Sequence, residues 1–177
     1  GGLDVLTEAE QVKGFAPQRN SLQILYAGYY IAELLLELTH EDDPHPVLFD
    51  ATVQALGDLE FGIDQRLVLR RFELAILRET GHMPHLASCA VCGQSCEGNR
   101  PVWFSAGAGG LVCEVCAPAA RGTVRLQSGS VKSLQLLGNS SSDQWRRLRL
   151  LTEMDREISA VTRSSILYIV GRDLRTA

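Results

Sequence analysis

Two cysteine pairs, Cys89-Ala-Val-Cys92 and Cys113-Glu-Val-Cys116, repeat one spacing on either side of twenty residues. A two-residue gap lets both sulfurs of a pair converge on one cation while the intervening amides turn toward them. Two such pairs complete a tetrahedral thiolate shell with no open position. The stretch therefore reads as a zinc ribbon, with Cys89, Cys92, Cys113 and Cys116 as ligands and structural Zn2+ as cofactor. Gly93 suits the tight exit from the first pair, where the backbone often takes a positive φ. Val102-Trp103-Phe104 and Leu111-Val112 read as short strands around the turn Gly107-Ala108-Gly109-Gly110, giving the ribbon a β-hairpin.

Four cysteines also suit two disulfides or a redox motif, but the remaining chain looks like an ordinary intracellular domain with its own core, which favours metal. An iron–sulfur cluster accepts the same four thiolates and stays open as an alternative. Cys96 lies outside the paired pattern and reads as a bystander rather than a replacement ligand. With four thiolates available, His82 and His85 are surplus and read as surface or packing residues.

At 177 residues and 45% apolar content, the chain is long enough for one sizeable core in one or two domains. No apolar run reaches membrane-spanning length and no signal pattern opens the chain, so the expectation is a cytoplasmic protein without a membrane. The start at Gly1-Gly2 without methionine reads as a fragment or a processed chain. The net charge of −4 argues against strong nucleic-acid binding, but the charge is uneven. Residues 1 to 60 hold 11 acidic and 2 basic side chains, against 10 acidic and 15 basic beyond them. That asymmetry hints at a basic face able to meet phosphate, and arginine supplies nearly all of it.

Apolar periodicity predicts a central helix from Ser21 to about Thr39, capped by Asn20 or Ser21 and carrying Leu22, Leu25, Tyr26, Tyr29, Ile31, Leu34, Leu35 and Leu38. Glu33 and Glu37 lie four apart on its polar face and read as solvated carboxylates, since no nucleophile or metal motif stands beside them. The acidic, proline-broken loop His40–Pro46 reads as a turn rather than a calcium site. Pro46 opens a second helix with Leu48, Phe49, Val53, Leu56 and Leu59 inward. Asp64 caps a third, which ends at Gly81 and Pro84 and leads into the first cysteine pair. Arg66, Arg70, Arg71 and Arg78 read as a basic stripe on its outer side. Beyond the ribbon, Ser130 opens a short helix closed by Gly138, and a last long helix runs from about Asp143 to Thr162 with Trp145, Leu148, Leu151 and Met154 on one face. The tail Ile166–Arg175 packs back onto the bundle. The fold class is thus mainly α: a helical bundle with a four-cysteine zinc ribbon inserted at about 86–120.

The run Leu69-Arg-Arg-Phe-Glu-Leu-Ala-Ile-Leu-Arg-Glu-Thr-Gly81, with Pro84, Cys89, Cys92 and Gly93 after it, resembles the RecO family of bacterial recombination mediators. Phe104-Ser105, Gly109-Gly110-Leu111 and Cys113…Cys116 look like the second half of that family's ribbon. The opening Gly2–Glu10 and the Tyr26…Glu33-Leu34 helix are similar too, so the likeness covers most of the chain. It implies a DNA repair and recombination mediator that binds single-stranded DNA and the C-terminal tail of the single-stranded DNA-binding protein SSB. It also implies pairing with RecR, promotion of RecA loading and strand annealing, and a cytoplasmic, nucleoid-associated location. Family members begin with an OB-fold, which this sequence lacks. Residues 1–20 then read as a connector from that upstream domain, and 21–177 as the helical domain with its ribbon. Arg70 and Arg71, inside the matching motif, become candidates for DNA or SSB-tail binding.

No bond-breaking chemistry is implied. The sequence shows no paired nucleophile and base, no phosphate-binding loop followed by Lys and Ser or Thr, and no metal motif with an open position. A zinc hydrolase or deaminase needs such a position and a nearby base. The other competing reading is a ribbon that serves only as a docking module in an assembly without nucleic acid.

Overall fold

The computed structural model describes residues 7–12, 14–15, 22–96, 98 and 100–176. Within them the chain is mainly helical, with five α-helices and a small sheet. Three helices precede the sheet: α1 (Leu22–Leu38), α2 (Pro46–Glu60) and α3 (Gln65–Glu79). The strands β1 (Val102–Ser105), β2 (Gly110–Cys113) and β3 (Val124–Leu126) follow, then α4 (Ser128–Gly138) and α5 (Thr152–Val170).

α3 is the central helix and packs against α1, α2, α4 and α5. Its start is set by Asp64, whose carboxylate accepts the Arg66 amide at 3.0 Å. Leu67, Val68, Phe72, Leu74, Ile76 and Leu77 are all buried, so apolar side chains surround most of the helix. An element with core on most sides belongs in the middle of a bundle. α1, expected to be central, is one-sided instead: Ala27, Tyr30, Ile31, Leu34 and Leu38 form a buried stripe, while Leu22, Tyr26 and Tyr29 are exposed. Its expected caps, Asn20 and Ser21, lie outside the described residues, as does most of the expected connector.

α2 begins with Pro46 at its first turn, as its missing N–H allows. Its buried stripe is Leu48, Ala55, Asp58 and Leu59, so the inward placement of Phe49 and Val53 is corrected: they are 68% and 46% exposed. Asp58 joins the buried stripe because it meets Arg146.

The expected helix from Asp143 is also corrected. Gln144–Arg147 form a short 3-10 turn, Leu148 and Leu151 are extended, and α5 starts only at Thr152 and runs past Thr162 to Val170. Trp145, Leu148, Leu151 and Met154 have helical spacing, but Trp145 is 1% exposed whereas Leu151 is 69% exposed. Burying the indole between α2, α3 and α4 takes the chain off the α5 axis, and tertiary packing overrides local period. α5 then ends at Gly171, whose φ of 75° closes the helix in the left-handed conformation. α4 starts at Ser128 with Gln127 before it, two residues ahead of the expected Ser130.

The sheet is antiparallel with order β2-β1-β3, so the expected hairpin carries a third strand. Val102, Phe104, Leu111 and Leu126 fill its inner face and join the common core. On the outer edge of β2, Leu111 donates its amide to His85 O at 2.9 Å and Ala90 donates to Leu111 O at 2.7 Å. Gly110 permits this approach, since a Cβ there would overlap the His85 backbone. The entry to the ribbon is thereby tied to its far half.

Of the expected tail Ile166–Arg175, Ile166–Val170 are the end of α5; residues 171–176 pack back, and the two α1 carboxylates hold them. Glu33 accepts the amides of Arg175 at 2.8 Å and Thr176 at 2.9 Å, and Glu37 pairs with Arg172. Leu174 is buried beneath this strap.

Candidate functional site

The four paired cysteines come together. The sulfurs of Cys89, Cys92, Cys113 and Cys116 all lie within 4.8 Å of one another. Cys92 Sγ and Cys113 Sγ, from different pairs, are 3.7 Å apart. A tetrahedral thiolate shell with metal–sulfur bonds of about 2.3 Å has sulfur–sulfur edges of about 3.8 Å, so the cluster fits such an ion. Each pair is shaped by its own turn. Gly93 donates to Cys89 O at 2.8 Å with its φ at 75°, and Cys116 donates to Cys113 O at 3.1 Å.

Local electrostatics prepare one sulfur for ionisation. Burial opposes the Cys89 thiolate, but amides of Cys113, Cys92 and Val91 outweigh it and bring the thiol down to about 6. The Cys113 sulfur, then burial, push the Cys116 thiol up to about 12, the expected result of crowding thiols together without a cation. Cys96 is buried outside the cluster, and its Sγ faces Gln94 O at 3.7 Å. His82 and His85 are exposed, and the His85 ring meets Ser88 Oγ at 2.7 Å.

The expected outer arginine stripe on α3 is not a free cationic face. Arg70 turns inward, with Nη1 2.5 and 2.7 Å from the two oxygens of Glu73, a wholly buried carboxylate. Tyr30 donates its hydroxyl to the same carboxylate at 2.7 Å. Arg66 pairs with its neighbour Asp64. Arg71 reaches across to the end of α4, donating to Leu137 O at 3.1 Å and Asn139 O at 3.0 Å. Of the four, Arg78 alone has neither an ion pair nor a side-chain hydrogen bond among the described residues.

Arg71 and Arg78 line a cleft of about 210 Å³ between α2, α3 and α4. Val47, Ala51, Phe72 and Ala75 give it apolar walls, and Trp145 closes one end. The Arg71 guanidinium carbon lies 4.9 Å from the Trp145 ring centre, and that of Arg146 lies 4.8 Å from it. Arg146 also grips buried Asp58 with two bonds of 2.5 and 3.0 Å. Burial first, with Arg78 and Arg146 nearby, pushes the Arg71 guanidinium below its ordinary value, although Asp143 and Asp58 oppose this. The indole Nε1 of Trp145 is buried without an acceptor. Sequence reasoning missed Trp145 and Asp58 because neither lies in a motif; Glu73, three residues after Arg70, was visible as a helical ion-pair spacing.

Residues 19–177 match the family model described as Recombination protein O C terminal. The chain belongs to this family. Curated relatives agree with it. The chain is 42% identical over 118 residues to the DNA repair protein RecO of Rhodopirellula baltica, covering 66% of this chain and 44% of that protein. It is 41% identical over 133 residues to RecO of Anaeromyxobacter dehalogenans, covering 75% and 51%. With RecO of Desulforamulus reducens it shares 32% identity over 174 residues, covering 98% and 67%. The chain thus spans about half the length of the first two RecO relatives. This membership supports a role in DNA repair, and the four-cysteine cluster supplies the family member with a site that can hold a metal ion. No α-helix among the described residues is long and apolar enough to cross a membrane.

Proposed function

We propose that this chain is the partner-binding part of a recombination mediator and that the cleft between α2, α3 and α4 receives the acidic, apolar C-terminal tail of SSB. The observation that carries this is the pairing, in one cleft, of apolar walls with Arg78, which has no ion pair among the described residues. An apolar side chain of the tail fills the space beside Phe72 and Ala75, while its carboxylates meet Arg78. Arg71 contributes through Trp145 and the end of α4, which it holds in place. Arg70 is spent on Glu73 and acts as a support for α3.

In this reading the protein breaks no bond. Tail capture brings it to SSB-coated single-stranded DNA, where with RecR it promotes RecA loading and the annealing of complementary strands in the cytoplasm, at the nucleoid. The ion is zinc, and when bound it supplies folding energy to a ribbon whose own core is small. Cys89, Cys92, Cys113 and Cys116 hold it.

The test is a titration with a fluorescent SSB-tail peptide. Saturable binding that weakens with salt, and that Arg78→Ala reduces by roughly five- to tenfold, is expected for one lost charge-assisted contact. No binding at low salt sinks the proposal.

A further inference from the structure

Six of the fifteen arginines of this chain face a carboxylate among the described residues: Arg66, Arg146, Arg156, Arg163 and Arg172 each form an ion pair, and Arg70 is buried on Glu73. Other cations have none, and three of these gather at one place. Arg100, Arg125 and Lys132 are exposed and have no ion pair among the described residues. They are far apart in sequence, yet the fold places them around the start of α4. Arg100 and Arg125 line a cleft of about 490 Å³ together with Pro101 and Ser128. Lys132 and the same Ser128 line an adjoining cleft of about 320 Å³. The two clefts meet at Ser128, and the cations around them define a basic groove. Among the described residues its lining holds one carboxylate, Glu157, which is already bonded to the Gln127 amide at 2.8 Å.

An aromatic ring stands beside the groove. Trp103 on β1 is the register partner of Arg125 on β3, so both side chains project from the same face of the sheet. The rest of that face is filled at Ser105 and Val112, which are buried, whereas Trp103 is only partly covered. Spaced cations along a groove, with a flat ring beside one of them, suit a chain that carries regularly spaced phosphates and bases with π-faces. An acidic peptide offers the charges without a partner for the ring.

We propose that the groove formed by Arg100, Arg125 and Lys132 at the start of α4, with Trp103 beside it, binds single-stranded nucleic acid by its phosphate backbone and stacks one base. The site lies on the ribbon side of the molecule and is separate from the α2–α3–α4 cleft. It rests on the reading above that this chain works on single-stranded DNA, and it specifies where.

The experiment measures anisotropy of fluorescein-labelled dT20 over a range of NaCl, using the zinc-loaded 177-residue chain. Variants are Arg100→Gln/Arg125→Gln/Lys132→Gln together and Trp103→Leu, each checked for unchanged zinc content. The triple variant is expected to make the salt dependence shallower by about 2 in log–log slope, since each single-strand phosphate contact contributes about 0.7. Trp103→Leu is expected to weaken binding by roughly 5- to 150-fold at unchanged slope, the range for one stacked base. Wild-type binding that neither variant alters overturns this site and leaves the repair reading standing. A chain that takes the SSB-tail peptide but not dT20 overturns the DNA contact itself. Loss of dT20 binding in the triple variant with Arg78→Ala unaffected supports two separate sites. A Glu-rich peptide that binds the groove more tightly than dT20 overturns the nucleic-acid assignment.

Discussion

Arg70 Nη1 sits 2.5 and 2.7 Å from the carboxylate oxygens of Glu73, and Glu73 has no solvent exposure. Two residues of the Arg-Arg-Phe-Glu run therefore neutralise each other inside the bundle. The Arg70 Nε faces Asp155 on α5 at 3.6 Å, too far for a hydrogen bond, so the cation also ties α3 to α5 by charge. Removing one partner strands the other. Arg70→Ala is expected to cost about 3–5 kcal/mol in chemical denaturation, the range for breaking a buried ion pair from one side. A loss below 1 kcal/mol would mean that Glu73 finds water or a proton instead.

Arg71 is a structural cation of another kind. It closes the end of α4 through Leu137 O and Asn139 O and lies against Trp145. Arg71→Ala is expected to destabilise the protein by about 1.5–3 kcal/mol, as for hydrogen bonds from a charged donor. Arg71→Lys restores only part of this, because an ammonium can take the place of Nη1 at the two carbonyls but does not lie over the Trp145 ring as the planar guanidinium does. Full recovery by lysine, in the same denaturation series, would reduce Arg71 to a point charge.

Removal of the ion tests the ribbon separately from the bundle. Chelation at neutral pH is expected to release one Zn2+ per chain, expose four reactive thiols and abolish the near-ultraviolet signal of Trp103, while most of the helical signal survives. Cys92→Ser is expected to weaken metal retention without abolishing the α-helical spectrum. Helices that melt together with the metal would show that bundle and ribbon fold as one unit.

The C-terminal strap is acid-sensitive. Burial works against ionised Glu33, but hydrogen bonds from Thr176 and Arg175, with Arg172 nearby, outweigh it and hold the carboxyl below its usual value. A depressed carboxyl contributes stability above its unfolded pKa and loses it as pH falls through the folded one. Amide exchange at Arg175 and Thr176 is therefore expected to be slow near pH 7 and to lose its protection as pH drops below about 4, the ordinary carboxylate range. Glu33→Gln should show fast exchange at both pH values. Protection that ignores pH would mean that buried Leu174, and not Glu33, holds the strap.

The sequence by itself determined the ribbon and the identity of most helices. Cysteine spacing is a local constraint: two residues between ligands set the turn, and the chemistry of the sulfurs sets what can sit there. Asp64 and Pro46 marked helix starts for equally local reasons, and the apolar density of α3 marked a core helix. What the arginines do was decided only by tertiary structure. Arg70, Arg71 and Arg78 all follow one helical stretch, yet one meets Glu73, one meets α4 and one lines a cleft, because each points at a different neighbour. Trp145 broke an expected helix for the same reason: the energy of burying its indole against α2, α3 and α4 is not written in the spacing of its neighbours. The groove around Arg100, Arg125 and Lys132 likewise exists only once β3 and α4 are side by side, since charge in a sequence says how many cations there are and the fold says which remain without a partner.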